Sequence, residues 1–180
     1  KNKFGNKVHY IEAKSIYKLF PFLLPSFNLW HSIHQHNKFM PSFYKTKYLL
    51  TIHDLNFLYE KKGSKIDKYT RWIQKEIKRA NQISCISEFT KNELINKLSL
   101  KADDIKVIHN GVENLSIKKD SKPSNIESNK EFFFSMGVMK NKKNFHTLLD
   151  LMKLIPEYNL YIAGNDKGTY AQMIKDRIEN

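Results

Sequence analysis

Two polar residues that could take part in catalysis follow a run of apolar and β-branched residues. The segment 47–53 is typical of a β-strand, and His53 and Asp54 stand at its carboxyl end. An imidazole there could hydrogen-bond a substrate hydroxyl, with Asp54 orienting the ring. A strand-end histidine satisfied by local contacts is the alternative. We therefore treat His53 and Asp54 as candidate catalytic residues.

A lysine-rich loop from Gly137 to Asn144 follows another predicted strand and leads into a helix. Backbone N–H groups and the helix dipole favour phosphate at such a place, and Lys142 and Lys143 add full positive charges. The loop has neither the Walker A spacing nor the GxGxxG pattern. A solvated basic loop is the alternative, but ligands of open α/β sheets bind outside the carboxyl ends of the strands.

Three further groups of residues could have either a local or a functional role. Ser87, Glu88 and Thr90 follow a predicted strand, where Ser87 also suits a helix N-cap. Asn110-Gly111 is a turn signal. The third group is formed by the closely spaced histidines His31, His34 and His36, which could bind a metal. Side chains of His31 and His34 would point to opposite faces of a continued strand and no carboxylate is near in sequence, so we expect no metal.

Hydrophobic periodicity predicts alternating strands and helices in the first two thirds of the chain. We expect strands at 7–12, 29–33, 47–53, 82–86 and 105–109, and helices at 66–80 and 90–98 with at most a short helix at 15–24. This order is typical of right-handed βαβ units on a parallel sheet. After it, a strand at 131–136, a helix at 145–154, a strand at 160–163 and a helix at 169–178 begin a second such sheet.

Composition places a linker between these two parts. Residues 116–130 contain few apolar side chains and show no helical or strand period. We therefore predict a domain at 1–115, a linker at 116–130 and a second domain at 131–180. The predicted fold class is α/β.

The charge balance favours an anionic partner. The 31 basic and 18 acidic residues give a net charge of +13 and a pI of about 9.6. All basic residues except Arg71, Arg79 and Arg177 are lysines, which weakens the case for reading DNA bases. A single cysteine, Cys85, excludes an intramolecular disulfide, and prolines interrupt the apolar stretch 20–27. We expect a cytoplasmic protein.

Five motifs in order carry a family resemblance. These are TIHD at 51–54, SEFTKNEL at 87–94 after a strand, VIHNGV at 107–112, FFSMGVMKNKKN at 133–144 and LYIAG at 160–164. Together they resemble the retaining, nucleotide-sugar-dependent glycosyltransferases of family 4. The resemblance implies a GT-B-like fold, with parts of two Rossmann-like parallel-sheet domains facing a cleft. Residues 1–115 would be the C-terminal part of the acceptor-side domain, and 131–180 the start of the nucleotide-sugar-binding domain.

The resemblance also assigns roles to individual residues. Lys143 matches a lysine that contacts the donor diphosphate, Lys142 stands where many members carry arginine, and Gly137 lets the loop approach the phosphates. His53 matches a histidine near the transferred sugar. The other expected donor-site residues are Ser87, Glu88, Thr90, Asn110, Gly111 and Gly164, with Gly164 beside the nucleoside.

Two departures from the family pattern affect these expectations. Many members carry arginine directly after the loop glycine, where this chain has Val138, so the lysines would stabilise the leaving group. The E-x7-E motif would lie beyond Asn180, and the opening strand and glycine-rich turn before Lys1. The chain thus resembles the middle of a GT-B enzyme, and we expect the 180 residues alone to have little or no activity.

The resulting prediction is a metal-independent, retaining hexosyltransferase-type enzyme of polysaccharide biosynthesis. It would transfer a sugar from a nucleotide-sugar, as substrate and without a further cofactor, to a glycan or lipid-linked glycan. Peripheral contact with an anionic membrane, at its inner face, would fit the basic surface. The alternatives are a basic nucleic-acid-binding α/β module, for which no motif is present, and a non-catalytic remnant of the GT-B fold.

Overall fold

The computed structural model describes residues 7–41, 45–112, 126 and 130–179. The chain divides into two compact units, Lys1–Asn114 and Leu115–Asn180. We call them the first unit and the second unit and describe each by itself. Most of the linker predicted at 116–130 lies outside the described residues.

The first unit contains a four-stranded parallel sheet. Its strands follow in the order β1 (Leu29–Ser32), β2 (Lys47–Ile52), β3 (Gln82–Cys85) and β4 (Ile105–Val107). Leu29 pairs with Lys47, Leu49 with Gln82 and Ile83 with Ile105 in the register. Sequential order in a parallel sheet requires a crossover after each strand, as the alternating pattern predicts.

The described residues of the first unit form four α-helices, namely α1 (Ile16–Leu19), α2 (Phe57–Glu60), α3 (Ser64–Arg79) and α4 (Glu88–Leu98). Helix α3 is amphipathic, with Ile73 buried and its lysines on the opposite side. Helix α4 begins at the predicted N-cap, since the Ser87 hydroxyl accepts a hydrogen bond from the Thr90 N–H at 3.2 Å.

The core of the first unit lies on one face of the sheet. Side chains of Leu50 and Ile52 on β2 pack there with Cys85 on β3 and with Ile73 and Leu94 on the helices. All five are at most 1% exposed. The opposite face carries the alternate residues of the strands, including Leu49, Thr51 and Ser84, as the period of two requires.

Two local predictions for the first unit are wrong. Residues 7–12 form no strand, and Val8, Tyr10 and Ile11 remain exposed, because no described strand pairs with this segment. No turn or bend occurs at Asn110-Gly111, where irregular backbone continues from β4.

The second unit contains a two-stranded parallel sheet, β5 (Phe132–Met136) and β6 (Asn159–Ala163), with helices α5 (Phe145–Met152) and α6 (Thr169–Glu179). Phe145, Ala171 and Ile174 are buried, whereas Phe132, Phe133 and Phe134 are 40%, 43% and 56% exposed. These strands and helices match the predicted order.

Both units combine parallel strands with intervening helices. The predicted fold class, α/β with parts of two Rossmann-like parallel sheets, is therefore confirmed. Among the described residues, no helix is long and apolar enough to cross a membrane.

Candidate functional site

His53 lies at the carboxyl end of β2 and its position is fixed by several hydrogen bonds. Its backbone N–H donates to Gln35 Oε1 at 2.9 Å, and Gln35 Nε2 donates to the Asp54 carbonyl, also at 2.9 Å. The ring Nε2 lies 2.8 Å from the Ile33 carbonyl. Because a carbonyl only accepts, Nε2 carries the proton, and Nδ1 of the neutral ring is the atom that can accept.

Gln35 is the positioning residue that sequence reasoning missed. It is 2% exposed, and its amide bridges both sides of the His53–Asp54 peptide. It lies in the loop between β1 and β2, where hydrophobic periodicity predicts neither a helix nor a strand. Gln35 stands between His34 and His36 in a polar stretch, so the sequence signals neither its burial nor its partner.

Thr90 and Ser87 also support His53. The buried Thr90 hydroxyl donates to the His53 carbonyl at 3.0 Å, and the Ser87 hydroxyl lies 3.0 Å from Thr90 Oγ1. Since the Thr90 proton goes to the carbonyl, the Ser87 hydroxyl is the donor in this pair. The structure thus joins three of the predicted residues, although Thr90 acts through His53 and is too buried to present its hydroxyl outward.

Asp54 does not orient the imidazole as expected. Its Oδ1 accepts the N–H of Asn56 at 2.9 Å, the local turn bond typical of aspartate. The Ile33 carbonyl, and not Asp54, orients the His53 ring. Glu88 is exposed in the first turn of α4, where a carboxylate complements the helix dipole.

A pocket of about 340 Å³ gathers some of the predicted residues in the first unit. His53, Asn110 and Gly111 line it together with His31 and Thr51. A row of hydrogen bonds crosses its floor, with His31 Nε2 and Ser84 Oγ each 2.8 Å from Thr51 Oγ1. The arrangement offers several donors and acceptors to a hydroxyl-rich molecule.

His34 packs against His53 with ring centroids 4.8 Å apart. Burial lowers the pKa of His34, with further lowering from the neighbouring His53 and His36, while Asp54 opposes it. Its Nδ1 accepts the N–H of His36 at 3.0 Å. Among the described residues, no group of three or more His, Cys, Asp and Glu side chains is placed to hold a metal ion.

In the second unit, the predicted glycines Gly137 and Gly164 lie against each other after β5 and β6. The Gly137 N–H donates to the Ala163 carbonyl at 2.9 Å. A Cβ on Gly164 would lie 2.0 Å from the Gly137 oxygen, and Gly137 itself has φ 154°. Position 164 therefore requires glycine for space, and position 137 favours glycine for its backbone conformation.

The Lys143 side chain lies against Gly137. A Cβ on Gly137 would lie 3.6 Å from Lys143 Cε and 3.8 Å from Phe145 Cζ. The residues 141–143 form a turn of 3-10 helix, followed by Asn144 in the left-handed region at φ 55°. This turn places Lys142 and Lys143, both exposed, at the carboxyl end of β5.

The first turn of α5 is partly occupied by an internal partner. The His146 N–H donates to the Tyr170 hydroxyl at 3.2 Å, and this hydroxyl lies 3.0 Å from His146 Nδ1. An N–H group that the helix end was expected to offer to phosphate is thus already used. Lys142 and Lys143 therefore favour an anion at the carboxyl end of β5 more than the N-terminus of α5 does.

In each unit, polar side chains or glycines lie at the carboxyl ends of parallel strands. This arrangement is typical of a Rossmann-like α/β protein. The sequence matches the family described as Glycosyltransferase Family 4 over residues 20–114, and the family described as Glycosyl transferases group 1 over residues 116–180. The chain belongs to glycosyltransferase family 4, in agreement with the predicted GT-B-like class.

A search of curated proteins found no match to the sequence. One matching solved structure is a mutant of S. aureus TarM in complex with Fondaparinux, alpha-GlcNAc-glycerol and UDP. The match has 19% sequence identity and a TM-score of 0.47, and it covers 77% of this chain and 28% of that chain. This chain therefore spans less than a third of the length of that one.

Proposed function

We propose that the chain is part of a retaining, metal-independent hexosyltransferase that uses a nucleotide-sugar donor and a glycan or lipid-linked glycan acceptor. The observation that carries the proposal is the Lys143 side chain lying across Gly137 at the carboxyl end of β5. Family membership supports the transferase class, and the retaining outcome follows from the resemblance alone.

The second unit is assigned to the donor diphosphate. With glycine at 137 and 164, the backbone at the ends of β5 and β6 has no side chains that would keep a phosphate away. Lys143 and Lys142 supply fixed positive charge beside it. A departing nucleoside diphosphate gains negative charge, and lysines held in place stabilise that charge without a metal. Val138 is uncharged and does not stabilise the diphosphate charge, so Lys142 and Lys143 have this role.

The first unit is assigned to the sugar and the acceptor. His53 Nε2 is held by the Ile33 carbonyl, which leaves Nδ1 to accept a hydrogen bond from a sugar hydroxyl. Gln35 and Thr90 fix the backbone on both sides of this ring. A ring held at several points loses little freedom when it binds its partner, which favours accurate positioning of a reacting group.

A titration tests the donor assignment. The chain is titrated with UDP, GDP and their sugars by calorimetry, and the same is done with Lys143→Ala and with Lys153→Ala. Lys153 is an exposed lysine at the other end of α5, so it controls for net charge. We expect saturable binding that weakens by about 1 to 3 kcal/mol in Lys143→Ala alone. Equal weakening in both variants would reduce the effect to general electrostatics and overturn the assignment.

We also propose a cytoplasmic location with peripheral contact with anionic membranes. Exposed cations line the outer side of α3, namely Lys65, Lys68, Arg71, Lys75 and Lys78. Each basic residue near an anionic surface contributes about 1 kcal/mol. Sedimentation with liposomes checks this, because binding should rise with the fraction of anionic lipid. Sedimentation that ignores lipid charge would contradict it.

A further inference from the structure

The pocket at the carboxyl edge of the first unit's sheet contains a second histidine, which has no role in the function proposed above. His109 lies two residues after the end of β4 and lines this pocket together with His53, which follows β2. The Ile108 N–H donates to the Cys85 carbonyl at 2.8 Å, which continues the pairing of β4 with β3 to the residue before His109. The sheet therefore positions His109 as it positions His53.

The two histidines make the same kind of bond to the backbone. His53 Nε2 lies 2.8 Å from the carbonyl of Ile33, just after β1. His109 Nδ1 lies 3.1 Å from the carbonyl of Ile86, just after β3. A carbonyl only accepts, so each of these nitrogens carries the proton of its neutral ring. The other nitrogens, His53 Nδ1 and His109 Nε2, are therefore both left as acceptors.

The spacing of the two histidines suits a single sugar residue. Strand β3 separates β2 from β4, so the two strand ends are about 10 Å apart, which is twice the distance between neighbouring strands. A sugar ring with a hydroxyl at each side can span this distance with one hydrogen bond to each histidine, since each bond adds about 2.8 Å.

The pocket carries no formal charge when its imidazoles are neutral. None of the described residues that line it is Asp, Glu, Lys or Arg, although the chain has a net charge of +13. The hydroxyls of Thr51 and Ser84 lie on its floor. Its walls include the aliphatic side chains of Ile33, Ile86 and Ile108. Apolar walls with a few placed polar groups suit a ligand with C–H groups and hydroxyls, whereas a phosphate or carboxylate would meet acceptors and no cation.

We propose that this pocket binds an uncharged sugar residue and that His109 is the second residue that recognises it. One hydroxyl of the sugar donates to His53 Nδ1 and another donates to His109 Nε2, while the C–H groups of the ring contact the aliphatic walls. This inference deepens the function proposed for the first unit and rests on it, because the sugar would belong to a transferase substrate. It restricts that substrate to one whose residue at this site has no phosphate or carboxylate.

The first test measures where the imidazole protons lie. Long-range nitrogen–proton NMR of the 180-residue chain at pH 8 distinguishes the protonated nitrogen of each histidine from the bare one. We expect the proton on Nε2 in His53 and on Nδ1 in His109. A His109 ring with its proton on Nε2 would offer a donor instead of an acceptor and would overturn the proposal.

The second test is an NMR titration with the methyl glycosides of glucose, galactose, mannose and glucuronic acid. The glucuronide has the ring of glucose but carries a carboxylate. We expect the ring signals of His53 and His109 to shift saturably with at least one uncharged glycoside, with an affinity about fivefold or more above that of the glucuronide. Equal or stronger binding of the glucuronide would reduce the effect to the positive charge of the chain. That result, or unmoved ring signals with every glycoside, would overturn the proposal.

Three variants locate the binding. His109→Phe keeps a ring but removes the acceptor, so it should weaken binding of the uncharged glycoside about fivefold. His109→Gln has an amide oxygen that can accept in place of Nε2 and should retain most of the affinity. His9→Phe is the control, because His9 does not line this pocket. Equal affinities of the two His109 variants would contradict a role as acceptor, and so would an equal loss in His9→Phe.

These tests are separate from that of the proposed function. UDP or GDP binding that depends on Lys143 concerns the second unit and should be unchanged in His109→Phe. Loss of the glycoside effects alone removes the present inference, whereas loss of Lys143-dependent diphosphate binding alone removes the donor assignment.

Discussion

The two units build the carboxyl ends of their strands in different ways. In the first unit, side chains do this, because Gln35 and Thr90 hydrogen-bond the backbone around His53. In the second unit, the backbone itself does it, because Gly164 lies so close to the Gly137 carbonyl that a side chain at 164 would collide with it. The contrast shows that the same α/β topology can position a group either by polar contacts or by bare backbone.

The two units also differ in how far the side chains of their sheets are buried. The sheet of the first unit has a buried core on one face, whereas the phenylalanines of β5 in the second unit stay 40% to 56% exposed. Substitutions in the first unit should therefore act through packing and hydrogen bonds. Substitutions in the second should act mainly through steric fit at the glycines.

The largest expected effect is in the core of the first unit. Ile73→Ala removes a side chain that is 1% exposed and should lower the free energy of unfolding by about 2 to 5 kcal/mol. Both tryptophans lie in the first unit, so urea denaturation followed by fluorescence reports this loss. Ile33→Ala, at a side chain 70% exposed, should change stability by less than about 0.5 kcal/mol. Similar losses in both variants would contradict the assigned core.

The next effect tests the backbone contact of the second unit. Gly164→Ala places a Cβ 2.0 Å from the Gly137 oxygen and should destabilise this unit by about 1 to 3 kcal/mol. Hydrogen exchange of the β5 and β6 amides measures it. Gly111→Ala is the control, because its Cβ meets nothing within 4 Å. Unchanged exchange in Gly164→Ala would refute the close approach.

A smaller effect concerns the polar support of His53. Thr90→Val keeps the shape of the buried side chain but leaves the His53 carbonyl without its donor, which should cost about 1 to 2 kcal/mol. Urea denaturation gives the value, and the His53 amide signal should shift. Thr70→Val, at a half-buried position of α3 away from His53 in sequence, is the control. If the two variants match, Thr90 does not support His53.

The smallest expected effect is a pH dependence from His34. Because its pKa in the folded protein lies below the ordinary value of 6.5, the unfolded chain binds a proton first as pH falls. His34 should therefore contribute a loss of stability below about pH 6.5 that is absent at pH 7.5. Melting temperatures at pH 7.5 and 5.5 should differ less in His34→Asn than in the parent chain. The exposed His9→Asn should retain the full difference.

Several features were predictable because they depend on neighbours in sequence. Ser87 caps α4 as expected, since a cap involves residues three positions apart. Gly137 and Gly164 follow from motif positions, and the structure adds a conformational reason for Gly137 and a steric reason for Gly164. The candidate positions after β2 and β5 followed from the βα order.

Other features could not be predicted because they depend on distant partners. The strand expected at 7–12 lacks a described neighbour, and pairing is a property of two segments. Asp54 bonds Asn56 rather than the imidazole, and Gln35 reaches residues 18 and 19 positions away. Nothing in the local sequence distinguishes these partners from others.

The sequence by itself determined the α/β class, the helix and strand order, the positive charge and the family, because periodicity, composition and motifs are local or additive properties. Tertiary structure alone decided that Ile33 orients His53, that Gln35 accepts the His53 N–H, and that Tyr170 occupies an N–H group of α5. Each of these contacts joins residues far apart in the chain, and only folding fixes which polar groups meet after water is excluded.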